Sequence, residues 1–380
     1  MTILVVNAGS SSLKLALFDT GLKQVFSGNV SEIGGASHLS VAGQTHALPV
    51  ADHHAALAVL LTAAEAAGHP FGAISLAAHR VVHGGANLTA TCRITPTVRQ
   101  AIEAAVPLAP LHNPANLSAI DALANRAPDL PQYAAFDTAF HATNPAVAYR
   151  YAVPDFVQDL GLRRYGFHGI SYASIVRKVK EITSEKLPKR ILTFHLGNGS
   201  SLCAIHNGQS VATTMGYSPL DGLTMGTRTG GIDGNAVLRL AELFGTERAG
   251  HILNRTSGLL GLGGSSDMRA LHGADTPGAR FAIAHFCYWA VRHAGSMIAA
   301  MGGLDAIAFT GGIGENDARV RSAILTGLAF AGVAFDEAAN RAGATCLHKL
   351  TSKVVIWIVP AEEERQIAIE SLAVRATECA

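Results

Sequence analysis

Residues 3–18 read ILVVNAGSSSLKLALF, and no other segment limits the fold of this chain as much. Two apolar runs, 3–6 and 13–18, enclose a short linker of Asn, Gly and Ser, which is the pattern of a β-hairpin closed by a polar turn. Gly9 lets the backbone approach a ligand, while Ser10, Ser11 and Ser12 add hydroxyls to the backbone amides. Such a turn suits a phosphate, and it equally suits plain chain reversal. Residues 191–205, ILTFHLGNGSSLCAI, repeat the pattern. Ser11-Ser12-Leu13 and Ser200-Ser201-Leu202 stand 189 positions apart (11 against 200), close to half of the 380 residues, so the two halves read as a duplication. Two hairpins facing each other would grip both ends of a polyphosphate.

Length and composition narrow the partners. With 380 residues, 49% of them hydrophobic, the chain is long enough for two domains with substantial cores. A formal charge of +1, 15% charged residues and no run of Lys or Arg argue against a nucleic-acid partner. The longest helix-like apolar stretch, 55–64, is too short to cross a bilayer, so no membrane partner is expected. A strand pattern begins at once, without a basic region and apolar core before it, so no leader is expected. Cys92, Cys203, Cys287, Cys346 and Cys379 are odd in number and lack CxxC spacing, which points to a reducing, cytoplasmic setting.

In chain order, a β-like region to about residue 50 precedes a helix over 53–67. Residues 75–82, SLAAHRVV, read as a buried strand that delivers Arg80 beside Gly84-Gly85, either as a functional cation or as a strand-edge salt bridge. His79 and His83 would lie about 13 Å apart in that strand, too far for a metal pair. A helix over 97–106 gives way to PLAPLHNPAN, 107–116, a rigid loop carrying His112, and helix resumes over 116–125. The strand 132–136 ends in Asp137, placed either to orient a metal or to cap a helix.

Residues 163–169, RRYGFHG, hold Phe167 and His168 between glycines, and His168 is favoured as a site residue. A helix over 173–183 leads to the second hairpin. Residues 213–233 form a long glycine-rich loop with Arg228 inside it, and loops of that length are usually functional. Helices over 235–244 and 250–256 precede GLGGSSD at 261–267, and 279–301 reads as a long buried helix. AIAFTGGIGEN, 306–316, is strand, Gly-Gly turn and helix start, suited to close approach of a nucleotide. The strand 354–359 and a final helix over 361–375 follow. Glu362, Glu363 and Glu364 stand in the first turn of that helix, where the dipole favours acids.

Taken together, NAGSSSLK, AHRVVHGG, PLAPLHNPANL, FDTAFH, RRYGFHGISY, HLGNGSSL, MGTRTG and FTGGIGEN, in this order between residues 3 and 369, resemble one family closely, the acetate kinases. The resemblance implies an α/β fold of two duplicated ribonuclease-H-like, actin/hexokinase-like domains with a nucleotide cleft between them. It implies an N-terminal domain of 1–136 plus 366–380, and a C-terminal domain of 137–365 that binds nucleotide and dimerises. The implied activity is reversible transfer of the ATP γ-phosphoryl group to acetate, giving acetyl phosphate and ADP. A propionate or other short-chain acyl kinase is the alternative, and a nucleotide-switched actin-like binding module is a more distant one. Magnesium, with manganese as the substitute ion, and a homodimer complete the picture.

Residue by residue, the resemblance gives Arg80, Asp137, His168 and Arg228 catalytic roles. Arg80 and Arg228 would meet the carboxylate and the phosphoryl group in transit, and His168 an oxygen of that group. Asn7 and Glu363 would place the metal. Val82, Leu111, His112, Phe167 and Pro219 would wall the acyl substrate. Lys14, His195, Leu196, Gly197, Asn198, Gly199, Asp267, Met268, Arg269, Gly311, Gly312, Ile313, Gly314 and Asn316 would hold the nucleotide. Three departures from the family pattern stand out. Ala361-Glu362 precede Glu363 where TN is usual, Gly231 and Gly234 follow Arg228 in a stretch where an acid or Ser and a Pro are common, and Met268 replaces an aromatic residue.

Overall fold

The computed structural model describes residues 2–184 and 186–378, so Cys379 lies outside the described residues; Cys92, Cys203, Cys287 and Cys346 are free thiols. The chain divides into two units. The first comprises the described parts of Met1–Phe140, Gly169–Ala173 and Glu362–Ala380, and the second those of His141–His168 and Ser174–Ala361.

In the first unit, the opening hairpin forms as its apolar runs require. Strands β1 (Thr2–Ala8), β2 (Ser12–Phe18), β3 (Gln24–Ser31), β4 (His38–Val41), β5 (Gln44–Ala47), β6 (Ile74–Val81), β7 (Cys92–Arg93) and β8 (Gln132–Phe136) make one sheet in the order β5-β4-β3-β2-β1-β6-β8-β7. The β1, β2 and β3 pairings are antiparallel, whereas β1, β6 and β8 run parallel. Leu4, Val6 and Ala8 pack with the helices His53–Ala66 and Asn113–Arg126, while Ile3 and Val5 pack with Ile367 and Ala368 of the helix Glu363–Glu378. Both faces of β1 are therefore covered, which is why its sequence is continuously apolar rather than alternating.

In the second unit, β9 (Arg190–Leu196), β10 (Ser200–His206), β11 (Gln209–Thr213), β12 (Ala306–Thr310) and β13 (Val355–Ile358) form a sheet in the order β11-β10-β9-β12-β13. Two antiparallel pairings followed by two parallel ones repeat the β3-β2-β1-β6-β8 part of the first sheet strand for strand. The repeat legible in two Ser-Ser-Leu triplets is thus a repeat of topology.

Several boundaries differ from the sequence reading. The helix Asn113–Arg126 begins inside the expected Pro-rich loop, because Pro114 sits in its first turn, where a missing N–H costs nothing. The helix Gly169–Ile182 starts four residues early, directly after His168. The long helix Pro277–Met301 is not buried all round. Ala279, Ala282, Phe286, Ala290, Ala294 and Met297 form one buried stripe at helical spacing, and Phe281 and Tyr288 on its other side are 58% and 64% exposed. Among the described residues, no helix is long and apolar enough to cross a membrane.

The core of the second unit makes a direct test of this packing. Phe309 on β12 is fully buried, with its ring stacked on Phe194 of β9 at 4.9 Å between centroids. Phe309→Ala is expected to cost about 3–5 kcal/mol, read from the denaturant midpoint of the second unit. A loss under about 1 kcal/mol would show that this stack is not a core element.

Candidate active site

The site in the first unit follows from strand register. Asn7 lies opposite Arg80 across β1 and β6, and Val81 opposite Phe136 across β6 and β8. The Asp137 N–H donates to the Val81 carbonyl, which carries the β6–β8 pairing one residue past β8. Asn7, Arg80 and Asp137 consequently emerge at the carboxyl ends of three neighbouring parallel strands, the edge where open α/β sheets bind ligands.

Arg80 Nε donates to Asp137 Oδ1 at 3.0 Å and Nη2 to Oδ2 at 2.7 Å, a bidentate fork. Its Nη1 donates to Asn7 Oδ1 at 3.1 Å. The Asp137 side chain is 3% exposed and that of Arg80 22%, so the acid is enclosed while the guanidinium keeps an open side. Desolvation alone would lower the Arg80 pKa, but Asp137, Glu363 and Glu364 outweigh it and raise the value, keeping the cation charged at any working pH. Desolvation pushes the Glu363 carboxyl up to about 7; Arg80 and Lys14 oppose the rise, and Asp137 and Glu364 add to it. Glu364 shifts down instead: burial would raise it, yet Lys14, whose Nζ sits 2.8 Å from Oε1, more than compensates.

These groups also bear on a metal. Asn7, Asp137 and Glu363 offer hard oxygen donors. Among the described residues, no group of three His, Cys, Asp or Glu side chains forms a metal cage. Magnesium is usually held by one or two carboxylates together with substrate phosphates, so this sparse oxygen set fits magnesium and does not fit a structural zinc.

In the second unit, the β9–β10 turn carries Gly197, Asn198 and Gly199. A β-carbon on Gly199 would lie 3.3 Å from His168 Nε2 and 3.6 Å from Arg228 Nη1, so both nitrogens face this turn. His168 has φ 58°, a left-handed backbone, and its Nδ1 is 2.9 Å from Ser201 Oγ. Its ring stacks on His195 at 4.0 Å. Arg228 Nη1 donates to the Pro219 carbonyl at 3.2 Å, and among the described residues no carboxylate pairs with it. Burial, followed by the charge of Arg255, lowers its pKa. A partly desolvated guanidinium of this kind gains most from an arriving anion.

A cavity of about 940 Å³ lies beside that turn, within the second unit. Gly197, Asn198, Asp267, Met268, Arg269, Gly312, Ile313 and Asn316, all expected to hold nucleotide, line it. Gly311 opens the helix that carries Gly312 to the cavity: φ is 79°, and a β-carbon there would come within 2.7 Å of the Leu196 carbonyl oxygen, so only glycine lets the chain after β12 close against β9. Leu196 is buried, and Gly314 packs behind the wall in the helix Gly311–Asn316.

The remaining expected residues are placed as follows. Val82 is buried and Leu111 is 49% exposed, both in the first unit, with His112 just before the helix Asn113–Arg126. Phe167 is buried in the second unit, where Pro219 also lies. Sequence reasoning missed several partners. Glu364 holds Lys14, although its position had suggested only dipole complementarity. His272 Nε2 and Asp317 Oδ2 lie 2.9 Å apart in the cavity wall, and buried Arg321 donates to the carbonyls of Gly314 and Glu315 behind it. Asp317 directly follows GGIGEN, and that adjacency was the available signal.

The five-strand order common to the two sheets and a cavity of nucleotide size fit a phosphotransferase scaffold. The chain belongs to the Acetokinase family, whose sequence model matches residues 2–369. Acetate kinase of Methylocella silvestris is 40% identical, covering 98% of this chain and 97% of the relative. That of Deinococcus radiodurans is 42% identical, covering 98% of each. Among solved structures, Porphyromonas gingivalis acetate kinase aligns with a TM-score of 0.91 at 35% identity, covering 98% of this chain and 99% of the other. A propionate kinase from Francisella tularensis aligns with a TM-score of 0.92 at 33% identity, covering 97% and 98%.

The raised carboxyl of Glu363 gives a testable pH dependence. Its folded value of about 7 exceeds the ordinary 4.5, so between these values the folded protein keeps a proton that the unfolded chain has lost. The contribution of Glu363 to stability is therefore full below 4.5 and falls as pH rises toward 7. Denaturant midpoints at pH 5 and pH 8 should drop more in the unmodified protein than in Glu363→Gln. Parallel curves would remove the shift from Glu363.

Proposed function

We propose that the chain is an ATP-dependent acetate kinase that transfers the γ-phosphoryl group to acetate reversibly. The observation that carries the reading is the Arg80 guanidinium, held from one side by Asp137 and open on the other, at the edge where the parallel strands end. Family membership and relatives named acetate kinase support it.

The chemistry asks little of the protein in proton transfer. Acetate is ionised at neutral pH, so one carboxylate oxygen attacks the γ-phosphorus directly while the bond to the β–γ bridging oxygen breaks and ADP leaves with the electron pair. No general base is needed, and catalysis reduces to alignment and charge neutralisation. In this reading Arg80 receives the carboxylate, and Asp137 keeps its fork oriented. Arg228 and His168 meet the oxygens of the transferred group. The Gly199 and Gly312 amides would receive the nucleotide phosphates, with Asn198 beside them, since the Gly197 and Gly311 N–H groups already donate to the Gly199 carbonyl and to Glu315 Oε1. Asp267, Met268, Arg269, Ile313 and Asn316 border the nucleoside.

Magnesium, held by Glu363 with Asn7 nearby, would supply charge neutralisation on the phosphate oxygens. Val82, Leu111, Phe167 and Pro219 would wall the methyl end. We assign nucleotide binding and dimerisation to the C-terminal domain. The exposed Phe281 and Tyr288 suit a homodimer contact. A cytoplasmic setting accords with the free thiols.

A coupled assay with acetate, propionate and butyrate against several phosphoryl donors tests the whole reading. Acetate with ATP should give the highest kcat/KM, and a clear preference for propionate would replace it with the propionate kinase alternative. Arg228→Ala should lower kcat by about 10³ to 10⁵, the range that arginines contribute in other phosphoryl transferases. Turnover within tenfold of the parent would contradict its role. Val82→Ala should raise the ratio of kcat/KM for propionate over acetate by roughly fivefold to a hundredfold, because one methylene in such a pocket is worth about 1–3 kcal/mol. An unchanged ratio would leave Val82 as a core valine only.

A further inference from the structure

Two asparagines in the first turn of the helix Asn113–Arg126 make backbone-type hydrogen bonds for another element. Strand β6 ends at Val81, its last residue in register with β8. Val82 and His83 continue past that edge and are nevertheless buried. Their amides need partners there, since an unpaired buried N–H is costly. The Val82 N–H donates to Asn116 Oδ1 at 3.1 Å, and the His83 N–H to Asn113 Oδ1 at 3.1 Å.

The donor ends of the two amides complete the arrangement. Asn113 Nδ2 donates to the His83 carbonyl at 3.0 Å, so one side chain pairs with both backbone groups of that residue, as a neighbouring strand would. Asn116 Nδ2 donates to the Ala8 carbonyl at 2.7 Å, which ties the end of β1 to the extension of β6. Both asparagines are almost fully enclosed, at 0% and 1% exposure. Three positions apart, they share one face of the helix. Only a primary amide offers an acceptor and a donor at this reach; Asp keeps the acceptor alone and Ala keeps neither.

We propose that Asn113 and Asn116 act as a side-chain clamp replacing strand pairing beyond β6, and that Asn116 is a positioning residue that fixes Val82 against the Asn7–Ala8 corner and thereby sets acyl-chain selectivity. The inference rests on the reading of Val82 as a wall of the acyl site. Val82 lies two residues beyond Arg80, at the bend where the chain leaves β6, so a slip of the extension would move the apolar wall relative to the carboxylate-binding guanidinium. The clamp sets this spacing without touching substrate.

The test compares Asn116→Ala, Asn116→Asp, Asn113→Ala and Val82→Ala in the full-length protein, each assayed with acetate and propionate and each melted. Asn116→Ala should change the propionate-to-acetate ratio of kcat/KM by about threefold or more, with the KM for ATP within about twofold of the parent. Asn116→Asp, which retains the acceptor for the Val82 N–H, should stay nearer the parental ratio. Should Asn116→Ala not fold, Asn113→Ala, which frees the adjoining His83, should shift the ratio in its place. A lowered melting temperature with an unchanged ratio in both asparagine variants would overturn the clamp and leave them purely structural. If Val82→Ala shifts the ratio and the asparagine variants do not, the clamp alone fails. If Val82→Ala leaves the ratio unchanged, the acyl-wall reading fails and the proposal fails with it.

Discussion

The ion pair between Arg80 and Asp137 is the interaction on which the first unit turns. Removing a carboxylate and a guanidinium from water is costly, and a pair of this kind holds only where geometry and further hydrogen bonds compensate. Here the fork is bidentate, Asn7 accepts from the third nitrogen, and two glutamates add negative charge. The arrangement is set by register rather than by loops, because β1, β6 and β8 are parallel and end together. The Arg80 side chain nonetheless keeps 22% of its surface exposed. Glu363 is the counterpart of this economy. Desolvation pushes its carboxyl up to about 7, with Arg80 opposing the rise only in part, and an added cation would be most welcome there.

Much of this was legible in the chain itself. The two hairpins, the strand that delivers Arg80, the strand that ends in Asp137 and the Gly-Gly turn after β12 all follow from local pattern, because buried parallel strands must be apolar on both faces and turns of this kind need glycine. Glu363 and Asn7 were legible only through resemblance. Spacing alone had left the glutamates as ordinary acids at a helix start, and what distinguishes Glu363 is desolvation beside Asp137, 226 positions away in sequence. The helix 113–126 was misjudged at its start for a local reason: proline reads as a breaker, yet in the first turn it is a favoured residue. The face of the long helix 277–301 could not be assigned because its residues are apolar on nearly every side.

The asparagines at 113 and 116 show another limit. In sequence they belong to a proline-rich stretch with ordinary loop composition. Their significance comes from two backbone amides, at Val82 and His83, that no strand reaches. A side chain that completes another segment's main-chain bonding carries no local pattern, and only the three-dimensional arrangement reveals it.

The repeated strand order has a consequence for how each half can change over evolutionary time. The tips of β1, β6 and β8 carry the linked side chains of Asn7, Arg80 and Asp137. The tips of β9 and β12 carry glycine-rich main chain, with the 940 Å³ cavity bordered by Gly197 and Gly312. A duplicated scaffold has thus been divided into a half whose strand ends carry charge and a half whose strand ends carry glycine. The first is altered by a single substitution. The second depends on turns that can close, so drift in the cavity's outer residues leaves those glycine turns in place.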